Sequence, residues 1–122
     1  MRIGVDLLEI DRFARIAAHP GGRRIVFSAA ELARADGLGV GRRTEFLAGR
    51  FCAKEASAKA LGRGLGQGLV WHEIEVLSDA HGAPRVLLGG GALAVAEQAG
   101  IERIDVSLSH HAGLVVCVAI AT

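Results

Sequence analysis

The stretch from Thr44 to Leu61 constrains this chain more than any other segment. It is rich in Ala, Leu, Glu, Lys and Arg, which lose little on entering a helix, and Gly62 follows as a stop. That spacing predicts the longest helix of the molecule. With 122 residues in total, only short elements remain to pack around it, in one domain rather than two.

Those short elements are legible from period and punctuation. MRIGVDLLEID opens as a strand with Ile3, Val5 and Leu7 on one face. Ile10, Phe13, Ile16 and Ala17 then follow helical spacing from Glu9 to about Ala18, and Pro20, Gly21 and Gly22 are expected to stop that helix. Ser28 and Glu31 have the spacing of a capping box, so a short helix starts at Ser28. DGLGVG reads as a loop, and GRGLGQG as a flexible connection after the long helix. VWHEIEVLS, DAHGAP and RVLL make a hairpin, and GGGALAVAEQAG a short helix. IDVSLS alternates strictly, HHAG reads as a turn, and LVVCVAIA as a strand buried on both faces. The expected fold class is α+β, a single domain over residues 1–122 with helices packed on a mainly antiparallel sheet.

Composition excludes several functions. Apolar residues make up 51%, too many for a disordered chain. A net charge of +1 rules out a blanket nucleic-acid coat, and four Phe, one Trp and no Tyr argue against a base-stacking platform. Cys52 and Cys117 lie in apolar stretches with no metal-ligand spacing, so both read as reduced core residues. Asp6 and Glu9 interrupt what would be the apolar region of a signal peptide, and the longest apolar run, Leu114 to Ala121, is far below a membrane span. A soluble cytoplasmic protein is the expectation.

Three features resist a purely structural account. Asp6 is a carboxylate in an apolar strand, which costs several kcal/mol unless it is paired or holds a metal. The plainer reading ends the strand at Val5 and lets Asp6 cap a turn. Glu55 shares one side of the long helix with Ala48, Cys52, Lys59 and Gly62, a small-residue face that lets a ligand approach. The plainer reading is an exposed Glu55–Lys59 pair worth a few tenths of a kcal/mol. Ser109, His110 and His111 end a strand in polar groups. Adjacent strand residues point to opposite faces, so the histidines do not chelate; a phosphate contact and a surface turn remain. GRGLGQG lacks the residues of a P-loop, and His19, His72 and His81 read as solvated.

Taken together, five segments in order resemble the holo-acyl-carrier-protein synthase family, the small 4′-phosphopantetheinyl transferases. They are GVDLLEIDRF (4–13), FSAAEL (27–32), FLAGRFCAKEASAKALGRG (46–64), the pair WHEIEV and GAPRVLL, and VSLSHHAGLVVCVAI, covering nearly the whole chain. Cys52 stands where that family usually has Ala, and the loop GLGVGRR is short. The resemblance implies the 4′-phosphopantetheinyl transferase fold. It also implies transfer of 4′-phosphopantetheine from coenzyme A to a serine of an apo acyl carrier protein, with release of adenosine 3′,5′-bisphosphate. It assigns Asp6 and Glu55 to Mg²⁺, Lys59 to the pyrophosphate, and Arg50 and His110 to the neighbourhood of the coenzyme's 3′-phosphate. Arg12 and Arg15, with Arg23 and Arg24 beyond them, would meet the acidic carrier protein.

By the same resemblance the molecule is a homotrimer, with Asp6 and Glu55 from one chain, His110 from the next, and the C-terminal strand near the threefold axis. The proton acceptor, Glu55 or an ion-bound water, stays open, as does the carrier's pathway, fatty-acid or polyketide synthesis. Two other classes compete. A non-catalytic carrier or nucleotide-binding module would lack one of the two acids, and a structural trimer would not need charges in apolar settings.

Overall fold

Helix α4 (Val40–Leu61) lies across a three-stranded antiparallel sheet in the order β1 (Arg2–Glu9), β5 (Leu114–Ala121), β4 (Ile104–His111). The computed structural model describes residues 1–64 and 67–122. Between β1 and α4 come three short helices, α1 (Ile10–Ala17), α2 (Pro20–Val26) and α3 (Ala29–Asp36). After α4 a single 3₁₀ turn (Trp71–Glu73) leads into a separate hairpin of β2 (Ile74–Ser78) and β3 (Pro84–Leu88). Helix α5 (Gly90–Gln98) then precedes β4. The α+β class read from the sequence is the observed one.

Small residues let α4 come down onto the strands. Ala48, Cys52, Ala53, Ala56 and Ala60 are all buried along it. Opposite them sits Gly4. A Cβ there would strike the carbonyl oxygen of Ala56 and lie 2.6 Å from the amide nitrogen of Ala60. Register then fixes what faces the helix. Asp6 pairs with Cys117, and Cys117 with Leu108, so Gly4, Asp6 and Leu8 point toward α4 while Ile3, Val5 and Leu7 point away. Asp6 lies inside the strand, which disposes of its reading as a turn cap.

Several boundaries differ from expectation for identifiable reasons. Pro20 does not stop a helix but starts α2, at the first position, where its missing N–H is not needed. Helix α4 begins at Val40, four residues earlier than Thr44. Strand β4 carries on through His110 and His111, because β5 pairs with it to the end. Residues 71–73 form the 3₁₀ turn rather than the start of a strand. Of the connection GRGLGQG, Leu65 and Gly66 lie outside the described residues. Strand β5 is not buried on both faces: Val115, Cys117, Ala119 and Ala121 are covered by α4, while Leu114, Val118 and Ile120 are exposed. The single chain puts a layer on only one side of the sheet.

The other side of α4 is pinned by charge. The Ser28 hydroxyl accepts from the Glu31 amide (3.2 Å), and Glu31 Oε1 accepts from the Ser28 amide (2.8 Å), the capping box at the start of α3. Glu31 Oε2 also accepts from the Val76 amide of β2 at 2.9 Å, and Oε1 pairs with Lys54 Nζ of α4 at 2.8 Å. Lys54 Nζ donates in turn to the carbonyls of Ile74 (2.6 Å) and Trp71 (3.1 Å). Both side chains are fully buried. Burial pulls the Lys54 ammonium below its ordinary range, and Glu31 opposes that pull.

Removing one partner of such a pair strands a charge. Lys54→Met should therefore lower the unfolding free energy by about 3–5 kcal/mol, read as a shift in denaturant midpoint. A loss below about 1 kcal/mol would put the pair on a par with a surface ion pair.

Candidate active site at the crossing of β1 and α4

Where α4 passes over β1, three ionisable side chains gather. Lys59 Nζ donates to the carbonyl of Val5 (3.0 Å) and to Asp6 Oδ1 (3.2 Å). Asp6 is largely covered, whereas the Lys59 side chain is 53% exposed, so its head group is open to a ligand. Glu55 lies one turn before Lys59 on the same side of α4. Burial raises the proton affinity of its carboxyl, and the nearby Asp6 carboxylate raises it further; Lys59 works the other way. Lys59 pairs directly with Asp6 and acts on Glu55 only through its field. The separate Glu55–Lys59 pair considered from the sequence is in fact part of a three-member cluster with Asp6.

Cys52 packs beneath this cluster, its thiol donating to the carbonyls of Asp6 (3.4 Å) and Val115 (3.7 Å). Burial and the Asp6 carboxylate push the Cys52 thiol well up, and burial takes Cys117 up to about 12. Both cysteines are free and buried. Neither is a nucleophile.

Among the described residues no three His, Cys, Asp or Glu side chains converge as a metal cage. Asp6 and Glu55 offer a smaller set of hard oxygen donors. That suits an ion such as Mg²⁺, which takes one or two carboxylates and completes its shell with water and phosphate oxygens.

A second cluster occupies the other end of α4. Arg50 is nearly buried; it donates from Nη2 to Ser78 Oγ (2.6 Å) and lies over the Phe46 ring at 4.5 Å. Burial lowers its proton affinity, Glu31 opposes this, and Arg34 adds to it. Among the described residues its Nε has no hydrogen-bond partner. Arg50 and His110 line one groove of about 420 Å³, together with Arg42, Glu45, Gly49 and Ser107. His110 Nδ1 stands 3.2 Å from Glu45 Oε1. The two clusters sit at opposite edges of the sheet, Asp6 on β1 and His110 on β4.

Arg12 and Arg15 are exposed on α1, whose Phe13 is fully buried on the opposite side. Sequence reasoning missed Glu31, Lys54, Glu45, Arg42 and Ser78. Only Glu31 carried a signal, its capping-box spacing, and that told of the helix start rather than of Lys54.

The fold and this arrangement define a class. A profile of the 4′-phosphopantetheinyl transferase superfamily matches residues 2–119, and the chain belongs to that superfamily. It is thus an enzyme of the transferase class. More particularly, it is 47% identical over 111 residues to the holo-[acyl-carrier-protein] synthase of Roseiflexus castenholzii, covering 85% of this chain and 78% of that one. The crystal structure of the corresponding synthase from Neisseria meningitidis superposes with a TM-score of 0.88 at 28% identity, covering 99% of this chain and 97% of its own. A Bacillus anthracis synthase, solved in complex with coenzyme A (3′,5′-ADP), superposes at 0.82 with 30% identity, covering 98% and 94%.

The cluster makes a prediction about stability. Folding raises the proton affinity of Glu55, so its contribution is full at low pH and is lost as pH rises through the carboxylate range. Glu55→Gln should therefore melt at a higher temperature than the parent near neutrality. That advantage should vanish below the ordinary carboxyl value of 4.5. Thermal unfolding at the two pH values checks it; a variant less stable at neutrality would contradict the account in which burial, reinforced by Asp6, disfavours the charged Glu55.

Proposed function

We propose that this chain is a holo-acyl-carrier-protein synthase, moving 4′-phosphopantetheine from coenzyme A to a carrier-protein serine. The observation that carries the reading is the meeting of Asp6, Glu55 and Lys59 at the β1–α4 crossing in a member of this superfamily. The names of the relatives and the coenzyme complex of the B. anthracis synthase support it.

In the reaction the serine oxygen bonds to the β-phosphorus while the bond from that phosphorus to the bridging oxygen breaks. Adenosine 3′,5′-bisphosphate leaves with the bridging oxygen. Such chemistry depends on in-line positioning and charge neutralisation. Lys59, partly exposed and already at Asp6, is placed to meet the pyrophosphate as a point charge. Asp6 and Glu55 would hold Mg²⁺, which when bound offsets charge on the phosphate oxygens. Glu55 is the candidate among these residues to take the serine proton. Arg50 and His110, in one groove, are assigned to the coenzyme's 3′-phosphate.

We infer a homotrimer. Ile3, Val5 and Leu7 of β1 and Val118 and Ile120 of β5 form an exposed apolar face on the uncovered side of the sheet, a surface suited to other copies. Asp6 and His110 at opposite sheet edges favour a coenzyme site drawn from two chains. Among the described residues no helix is long and apolar enough to cross a membrane. The reading places the enzyme in the cytoplasm, with its carrier protein.

Incubation with apo carrier protein, coenzyme A and Mg²⁺ should add the mass of phosphopantetheine to the carrier. Asp6→Ala and Glu55→Ala should each nearly abolish that addition while staying folded; near-parental turnover in both would remove them from the site. Light scattering should give a mass near three chains, and a fully active monomer would refute the shared site. Arg12→Glu on exposed α1 should raise KM for the carrier, by on the order of 1–3 kcal/mol in binding, with little change for coenzyme A. A defect mainly on the coenzyme side would move Arg12 to the nucleotide.

A further inference from the structure

A cavity of about 280 Å³ opens between α3, α4 and β2, away from the crossing of β1 and α4. It shares only Phe46 and Arg50 with the groove that His110 lines. Two arginines line it, Arg34 from α3 and Arg50 from α4, and among the described residues neither is in a salt bridge. Arg50 is only 7% exposed. A guanidinium so far out of water without a counter-ion is costly. Its Nη2 donates to Ser78 Oγ, which turns the edge shared by Nη2 and Nε toward a residue of the cavity lining. The Nε–H on that edge has no acceptor among the described residues. The two acids in the lining are engaged elsewhere. Glu31 is held by Lys54 and the amides of Ser28 and Val76, and Asp79 Oδ1 accepts from the amides of His81 and Ala83.

We propose that this cavity binds a small monocarboxylate on the Nε–Nη2 edge of Arg50, with the exposed Arg34 adding charge. A carboxylate matches the flat two-donor edge of a guanidinium. Ser78, having accepted from Nη2, keeps its own hydroxyl proton to donate. The remaining lining, Ala30, Phe46, Val76 and Leu77, is apolar and suits an apolar body on the ligand. A phosphate dianion is disfavoured, because Glu31 and Asp79 in the same lining repel it about twice as strongly as a single charge. The volume falls just short of drug-sized sites, so the ligand is small.

The test titrates the intact ¹⁵N-labelled protein with benzoate, and separately with benzamide and inorganic phosphate. Benzoate should saturably shift the amides of α3 and of Val76 to Asp79, and should move the Arg50 Nε–H signal as a new hydrogen bond would. Benzamide, of nearly the same shape but uncharged, should bind about tenfold more weakly. Ala30→Leu should fill the cavity and remove the saturable shifts. Arg34→Gln should weaken benzoate by up to about fivefold, the range of an exposed ion pair. Both positions are exposed, so both variants should fold. Arg42→Gln, which lines the neighbouring groove alone, should leave benzoate affinity within about twofold of the parent. Shifts that centre on Arg42 and His110 and vanish in Arg42→Gln would move the ligand to that groove and overturn the proposal. No saturable response to benzoate, or tighter binding of phosphate than of benzoate, would overturn it equally.

Discussion

The buried pair of Glu31 and Lys54 sets the frame in which everything else is placed. It joins α3 through the capping box, α4 through the ammonium group, the 3₁₀ turn through the carbonyl of Trp71, and the hairpin through the Val76 amide and the carbonyl of Ile74. Two ions removed from water are not stabilising by default, since desolvation opposes their attraction. Here each Lys54 proton has an oxygen partner, and both Glu31 oxygens accept from main-chain amides as well. The pair therefore acts mainly by forbidding alternatives. Any rotation or slide of α4 would leave a full charge unmatched in the core, which a purely apolar interface would not penalise as sharply.

That fixed rotation determines where the next residue points. Glu55 follows Lys54, about 100° further round the helix. With Lys54 held toward α3 and the hairpin, Glu55 is carried to the side facing Asp6. A core constraint thus becomes a site constraint across one peptide bond. The site it creates is electrostatically uncomfortable: two carboxylates and one partly solvated ammonium. Proteins tolerate such arrangements where the strain is relieved by a ligand.

Much of the fold could be read from the residues. The long helix, the Ser28 cap, the hairpin and the alternating strand IDVSLS each announce themselves through period or punctuation. The errors fall where local signals carry two meanings. Pro20 with two glycines reads as a stop, and only the chain's path after α1 makes it a start. LVVCVAIA reads as doubly buried because its residues are apolar on both faces, yet the single chain covers only one of them. In the site, Asp6, Glu55 and Lys59 stood out as charges among small apolar neighbours, and the structure brings them together. Lys54 did not stand out, because a lysine beside a glutamate in an alanine-rich helix looks like any solvated pair. Its burial depends on Glu31, twenty-three positions earlier, and no spacing rule links them.

Gly4 carries a consequence for how the site can vary. A side chain there would meet main-chain atoms of α4, the carbonyl of Ala56 and the amide of Ala60, rather than another side chain. No substitution on the helix can clear main-chain atoms out of the way. The gap between Asp6 and Glu55 is therefore governed by an atom that is missing from a residue with no chemistry of its own. A methyl group at position 4 would wedge helix from strand and part the two carboxylates while leaving every functional group intact. Loss of activity from such a change would resist second-site repair on α4.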